Sequence, residues 1–89
     1  MALTCIGDAY VELNNLEQGA KYYRKAADMN SNNFTAPTAL MKAGGVYEAE
    51  GKYQDALEVY KTIKDKYGKT TEARDIDKFI ARATLKMAK

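Results

Sequence analysis

The chain repeats itself at an interval of 37 residues, and this internal repeat limits its possible folds more than any other feature. A shift of the sequence by that interval superimposes identical residues, among them Leu3 on Leu40, Gly7 on Gly44, Tyr10 on Tyr47 and Tyr23 on Tyr60. Repeats of this length are typical of solenoids, in which each unit buries its apolar face against the next. The 89 residues therefore predict two stacked units in one small domain.

Within each unit the apolar residues recur with the period of a helix. Leu3, Ile6 and Tyr10 fall on one helical face of the first unit. Asn14 then interrupts the pattern, and Asn tolerates the left-handed conformation that ends a helix. Gly51 stands at the corresponding place in the second unit. Each unit is therefore predicted to be a pair of helices.

Proline, glycine and threonine predict the remaining helix boundaries. Pro37 stands in the first turn of a third helix, where its missing N–H costs little. Gly68 ends a fourth helix, and Thr70 or Thr71 caps a fifth that is amphipathic to the C-terminus. No stretch alternates with period two, so we expect five helices and no strand. The predicted organisation is a first repeat at 1–33, a second at 37–69 and a capping helix at 71–88.

The residues at the repeated positions resemble those of the tetratricopeptide repeat family, whose pattern is W-x2-L-G-x2-Y … A-x3-F … P. The first repeat has Leu3-x2-Ile6-Gly7-x2-Tyr10 … Gly19-x3-Tyr23 … Ser31, and the second has Leu40-x2-Ala43-Gly44-x2-Tyr47 … Ala56-x3-Tyr60 … Gly68. The resemblance implies an all-α fold, a right-handed α-α superhelix of two helix-turn-helix repeats plus a C-terminal capping helix. The interval exceeds the family's period of about 34 residues by three.

The resemblance assigns packing roles to the residues of this pattern. Glycine leaves room where the two helices of a pair cross, and the tyrosines fill the space between helices. The residues expected to pack the repeats are Gly7, Tyr10, Tyr23, Gly44, Tyr47, Ala56 and Tyr60. More narrowly, residues 56–64 and 72–83 look like the C-terminal part of bacterial membrane-anchored tetratricopeptide proteins. That likeness implies the periplasmic side of the cell envelope if the parent protein carries an N-terminal anchor; the residues themselves leave the compartment open.

The composition argues against an enzyme, a metalloprotein or a nucleic-acid binder. With no His and one Cys, the chain lacks a His general base, a His metal ligand and an internal disulfide. Its 14 Lys and Arg against 12 Asp and Glu leave a net charge of +2, too small for a nucleic-acid partner. Gly68-Lys69-Thr70 copies the end of a phosphate-binding loop, but Ile63 stands where that loop needs glycine. We expect no cofactor, no metal and no direct insertion into a membrane.

The resemblance also implies a function, the binding of a peptide or protein surface in a concave groove lined by the first helix of each pair. The corresponding positions of this chain are Thr4, Asp8, Val11, Glu12, Met41, Lys42, Gly45, Glu48 and Ala49. Their three acids would repel the C-terminal carboxylate that some members bind. We therefore expect a non-enzymatic interaction module that binds a basic partner anchored near Met41. The acids at these positions are expected to contribute little to the stability of the fold. The alternative is that these residues are an ordinary solvated face.

The N-terminal helix suggests a second functional surface. Leu3, Ile6, Tyr10 and Leu13 face the second helix, while Ala2, Cys5 and Ala9 widen the apolar stripe beyond what one neighbour covers. About three repeats are usually needed for a stable solenoid. We expect either further repeats upstream or a second chain on this helix, and a homodimer is the simplest closure. The alternative function is therefore self-assembly through the end of the solenoid.

Overall fold

The computed structural model describes residues 3–29 and 35–88, and within them it contains α-helices and no strand. The helices are α1 (Leu3–Glu12), α2 (Leu16–Met29), α3 (Thr35–Ala49), α4 (Tyr53–Lys66), α5 (Thr71–Arg74) and α6 (Ile76–Met87). The all-α fold and the two helix pairs are confirmed. The end of the first repeat, with the proline position held by Ser31, lies outside the described residues.

The turn inside each helix pair depends on a left-handed residue at the same repeat position. Asn14 has a φ of 63°, and Gly51, which follows it by the repeat interval, has a φ of 76°. Gly adopts this region without steric cost, and Asn is among the residues that tolerate it best. Asn15 then accepts a hydrogen bond from the Gln18 N–H at 3.4 Å, which caps the start of α2. Asn14 thus ends the first helix as the sequence predicts, and Asn15 caps the second.

The predicted capping helix is two helices, because the chain leaves helical geometry at Asp75. The Thr70 hydroxyl accepts the Ala73 N–H at 3.3 Å and so caps α5, as expected. Asp75 has φ −106° and ψ 11°, and its carbonyl accepts the Lys78 N–H at 3.1 Å in the first turn of α6. On one side of this break, Thr38 of α3 donates a hydrogen bond to Glu72 of α5; on the other, Ile76 is buried. The expected count of five helices is therefore wrong by one short helix.

The helices pack in chain order, with α2 between α1 and α3, and α4 between α3 and α6. In both pairs the tyrosine of the second helix lies on the glycine of the first. A Cβ added to Gly7 would lie 2.7 Å from the Tyr23 ring, and one added to Gly44 would lie 2.7 Å from Cζ of Tyr60. Real Cβ atoms do not approach so closely, so both positions require glycine at this crossing. The same crossing is thus built twice.

The predicted packing residues differ in how far they are covered. Gly7, Tyr23, Gly44, Tyr47, Ala56 and Tyr60 are buried. Tyr10 is only half-buried, and its ring stacks on Tyr22 with centroids 5.4 Å apart. The core therefore centres on α2, α3 and α4, and α1 lies at its edge.

Candidate functional site

One face of the molecule carries α1, α3 and α6 in succession. Two ion pairs connect them: Lys42 of α3 lies 3.2 Å from Asp8 of α1, and Arg82 of α6 lies 2.6 Å from Glu48 of α3. We call the nine positions predicted to bind a partner, together with the side of α6 that carries Arg82, the groove face. Its geometry follows from the repeat, because each first helix lies beside the next.

At the α1 end of this face, Asp8 joins its own helix pair to the following one. It accepts a hydrogen bond from the Tyr23 hydroxyl of α2 and ion-pairs with Lys42, whose Nζ is 3.2 Å from both carboxylate oxygens. These contacts, the tyrosine hydroxyl first, hold the pKa of Asp8 below its ordinary value. Lys42 also lies 5.7 Å from the centroid of the Tyr23 ring, a cation–π contact. Asp8 is therefore occupied within the fold.

Glu48 forms the corresponding cluster one pair further along the chain. It accepts a hydrogen bond from the Tyr60 hydroxyl at 2.9 Å and two from Arg82, from Nη2 at 2.6 Å and Nε at 3.2 Å. Burial by itself raises the pKa of Glu48, but the bonds from Arg82 and Tyr60 outweigh it and hold that pKa below its ordinary value. The Glu48 side chain is 9% exposed, so the acid end of this bidentate pair is shielded from water, while about half of the Arg82 side chain remains exposed.

These clusters change the electrostatics expected of the groove face. Two of its three acids are already paired with a cation, Asp8 with Lys42 of α3 and Glu48 with Arg82 of α6. Each of the two also accepts a hydrogen bond from a tyrosine hydroxyl. Glu12 is exposed and, among the described residues, has no ion pair. Little unpaired negative charge therefore remains on this face to attract a basic partner. Asp8 and Glu48, which were expected to contribute little to stability, instead join neighbouring parts of the fold.

The other predicted positions of α1 lie in different environments. Thr4 is half-buried and Glu12 is exposed. Val11 points toward α2, where a Cβ added to Gly19 would lie 2.6 Å from its Cγ2. Although Val11 is one of the nine positions of the groove face, its side chain thus packs within the first pair.

Helix α3 supplies the most open part of the groove face. Gly45 is exposed, and a Cβ added there would meet no atom within 4 Å. Met41 and Ala49 stand four residues before and after it, so the three share one side of the helix. Ala49 is exposed, while Met41 is half-buried and packs against the core. Met41, Gly45 and Ala49 therefore form a strip along the middle of the face that carries almost no side chain beyond the methionine at one end; we call it the open strip.

Sequence reasoning missed the partners that hold the acids. The tyrosine hydroxyls were not expected to act, and Arg82 was not singled out. A signal for the cations does exist, because Asp8–Lys42, Arg24–Glu58, Thr38–Glu72 and Glu48–Arg82 all join residues 34 positions apart. The equivalent residue of the next unit lies 37 positions along the chain, so each partner lies three residues, or about one helical turn, before that equivalent position.

The described residues offer little for chemistry. Residues 3–29 and 35–88 contain no group of three or more His, Cys, Asp and Glu side chains placed to hold a metal ion. In the same residues, no helix has both the length and the apolar character that crossing a bilayer requires. What the groove face can do is offer hydrogen bonds, paired charges and an open strip to another molecule.

Comparison with known proteins gives one match. Residues 2–33, which include the first helix pair, match the family model described as tetratricopeptide repeat. No curated protein and no solved structure matches the chain.

Proposed function

We propose that this chain, a member of the tetratricopeptide repeat family by its first helix pair, is a non-enzymatic scaffold that binds a protein or peptide across the groove face. Repeats of this family generally mediate protein–protein interaction. The observation that carries the proposal is the open strip at Gly45, where the backbone of α3 is accessible without an intervening side chain. A partner's main chain can approach closely there, as it can wherever glycine replaces a larger residue.

The surroundings of the strip support the same surface. Met41 offers a flexible thioether that adapts its shape to different apolar side chains. The pair Asp8–Lys42 lies on the α1 side, and Arg82 lies on the α6 side with about half of its side chain exposed. A partner lying across α3 would thus find an apolar anchor in the middle and polar groups at both edges, as in other protein interfaces.

A substitution at Gly45 tests the proposal without endangering the fold. Since a side chain at that position meets nothing, Gly45→Tyr is expected to fold with unchanged urea stability and to obstruct the strip. The matched control is Asp65→Tyr, on an exposed position of α4 away from this face. A partner purified with the wild-type chain should bind Gly45→Tyr at least about tenfold more weakly, as measured by calorimetry. Equal binding by Gly45→Tyr and the control would place the interaction elsewhere.

A second candidate, self-association through α1, is supported by the exposure of that helix. Leu13, directly after α1, is 76% exposed, so the expectation that it faces the second helix is wrong, and Tyr10 and Tyr22 form a half-buried stacked pair at the same end. A second copy packing its α1 against this α1 would cover the same patch on both chains, as a two-fold interface does. Light scattering across a concentration series, combined with hydrogen exchange of α1, tests this. A strict monomer whose α1 amides are fully protected would rule it out.

A further inference from the structure

Three cations stand at four-residue intervals along α6: Lys78, Arg82 and Lys86. All three are exposed, and we call them the cation row. Residues four apart on a helix lie on one side, about 6 Å from one another along the axis. Arg82 reaches Glu48 on the groove face, so the cation row borders that face at its α6 edge.

The charges facing the row leave it positive. Arg82 is paired with Glu48, and Asp75 lines a cleft of about 350 Å³ with Lys78, Phe79 and Arg82. Asp77 points elsewhere, to Lys64 at 2.8 Å. Lys78 has no ion pair within residues 3–29 and 35–88, and Lys86 lies 5.7 Å from the centroid of the Tyr53 ring. Lys86 also helps to hold the pKa of Glu48 below its ordinary value. Lys78 is therefore the least engaged of the three cations, and Lys86 and Arg82 offer an anion the exposed part of their side chains.

We infer that the cation row binds an acidic protein segment, in which carboxylate side chains recur at about the same 6 Å spacing. The inference rests on the proposed function, because it specifies that the partner bound on the groove face is negatively charged. Carboxylates at alternate positions of an extended chain, or four apart on a helix, match this spacing. The Phe79 ring, half-buried between Arg82 and Tyr60, offers apolar contact to the methylene groups of such side chains.

A short synthetic peptide of alternating Glu and Ala, labelled with fluorescein, is the probe. Fluorescence anisotropy should show binding at about 50 mM salt that weakens at about 300 mM, since exposed charges are screened over a few ångströms there. The same peptide with Gln in place of Glu should not bind. Equal binding of the Gln peptide, or tighter binding to anionic vesicles or single-stranded DNA than to the Glu peptide, would overturn the inference.

Charge reversal with a matched control locates the site. Lys78→Glu with Lys86→Glu should weaken binding of the Glu peptide about tenfold or more. Lys21→Glu with Lys25→Glu on α2 makes the same change in net charge, and Lys25, like Lys86, lies over a tyrosine ring. The control pair should change the affinity by less than about threefold. Equal loss in both pairs would mean that only net charge matters, which contradicts a site.

Two further variants separate the possible failures. If the double variant folds poorly, Lys78→Glu alone tests the same site, because Lys78 has no ion pair among the described residues. Lys21→Glu is the control for this single variant. If a purified partner loses affinity for Gly45→Tyr but not for the Lys78 and Lys86 variants, the groove is used and the cation row is not. If it loses affinity only for the row variants, the row binds and the proposed strip on α3 does not.

Discussion

Helices α1 and α3 occupy the same place in their repeats, yet α3 is buried and α1 is not. On α3, eight residues are buried, whereas on α1 only Gly7 is buried. Ala43, Val46 and Tyr47 of α3 are buried, while Ile6 and Tyr10 at the matching positions of α1 are half-buried and Ala9 is exposed. The cause is position in the stack: α3 packs between α2 and α4, while α1 packs on α2 alone among the major contacts.

The comparison teaches that the same repeat position does not ensure the same burial. Tyr47 of α3 reaches back to α2, where the contact of its hydroxyl with Arg24 holds the pKa of that guanidinium above its ordinary value. Tyr10 of α1 stacks instead on Tyr22 of α2, the second helix of its own pair. Burial in a solenoid thus depends on the neighbouring unit as well as on the residue's own sequence.

Truncation of the two matched tyrosines tests this comparison with the largest effect. Tyr47→Ala should lower the free energy of unfolding by about 3–5 kcal/mol, since it removes a buried aromatic side chain. Tyr10→Ala should cost roughly 1–2 kcal/mol, because Tyr10 is only half-buried and part of its surface is already in water. Urea melts of both variants measure the difference. Equal losses would show that α1 is as well covered in solution as α3.

The two acid clusters give a second, smaller difference. Glu48→Gln should cost about 1–3 kcal/mol at neutral pH, because it weakens charged hydrogen bonds that are shielded from water. Asp8→Asn should cost less than about 1 kcal/mol, since its side chain is 45% exposed and its ion pair with Lys42 is solvated. Urea unfolding of both variants beside the wild type provides the measurement.

The same clusters predict the pH dependence of stability. Because the pKa values of Asp8 and Glu48 are lowered in the fold, the unfolded chain binds protons first as the pH falls. The stabilisation is complete above the ordinary values of 3.8 and 4.5 and is lost as the pH falls through the lowered ones. Glu48→Gln and Asp8→Asn should therefore each flatten the acid side of the stability curve. An unchanged curve in both would contradict the clusters.

The smallest expected effect concerns Leu13. Its side chain is 76% exposed, so Leu13→Lys should change the free energy of unfolding of the monomer by no more than about 0.5 kcal/mol. If a second copy covers α1, the same substitution should abolish the concentration dependence of the molar mass in light scattering. A loss of stability well above that value, without any dimer, would mean that Leu13 is buried in solution and that α1 resembles α3 after all.

The sequence predicted what depends on local chemistry. The left-handed residue at Asn14 and a threonine cap at Thr70 or Thr71 follow from residue type and spacing, and the glycines under Tyr23 and Tyr60 follow from the family resemblance. The break at Asp75 was missed, because the amphipathic pattern of residues 71–88 continues through it. The pairing of Asp8 and Glu48 was missed because it joins different helix pairs, offset by about one turn from the repeat interval. Contacts between units require the stacking geometry, which residue spacing within one unit does not contain.

The order in which the helices pack bears on the mechanics of the chain. Most contacts are local in sequence, and a low contact order favours folding in milliseconds or less. Because helices pack mainly on their neighbours in sequence, tension applied at the two termini loads these contacts one after another. We expect a force trace with successive steps that begins at a terminal helix, either α1, held chiefly by α2, or α6, held chiefly by α4.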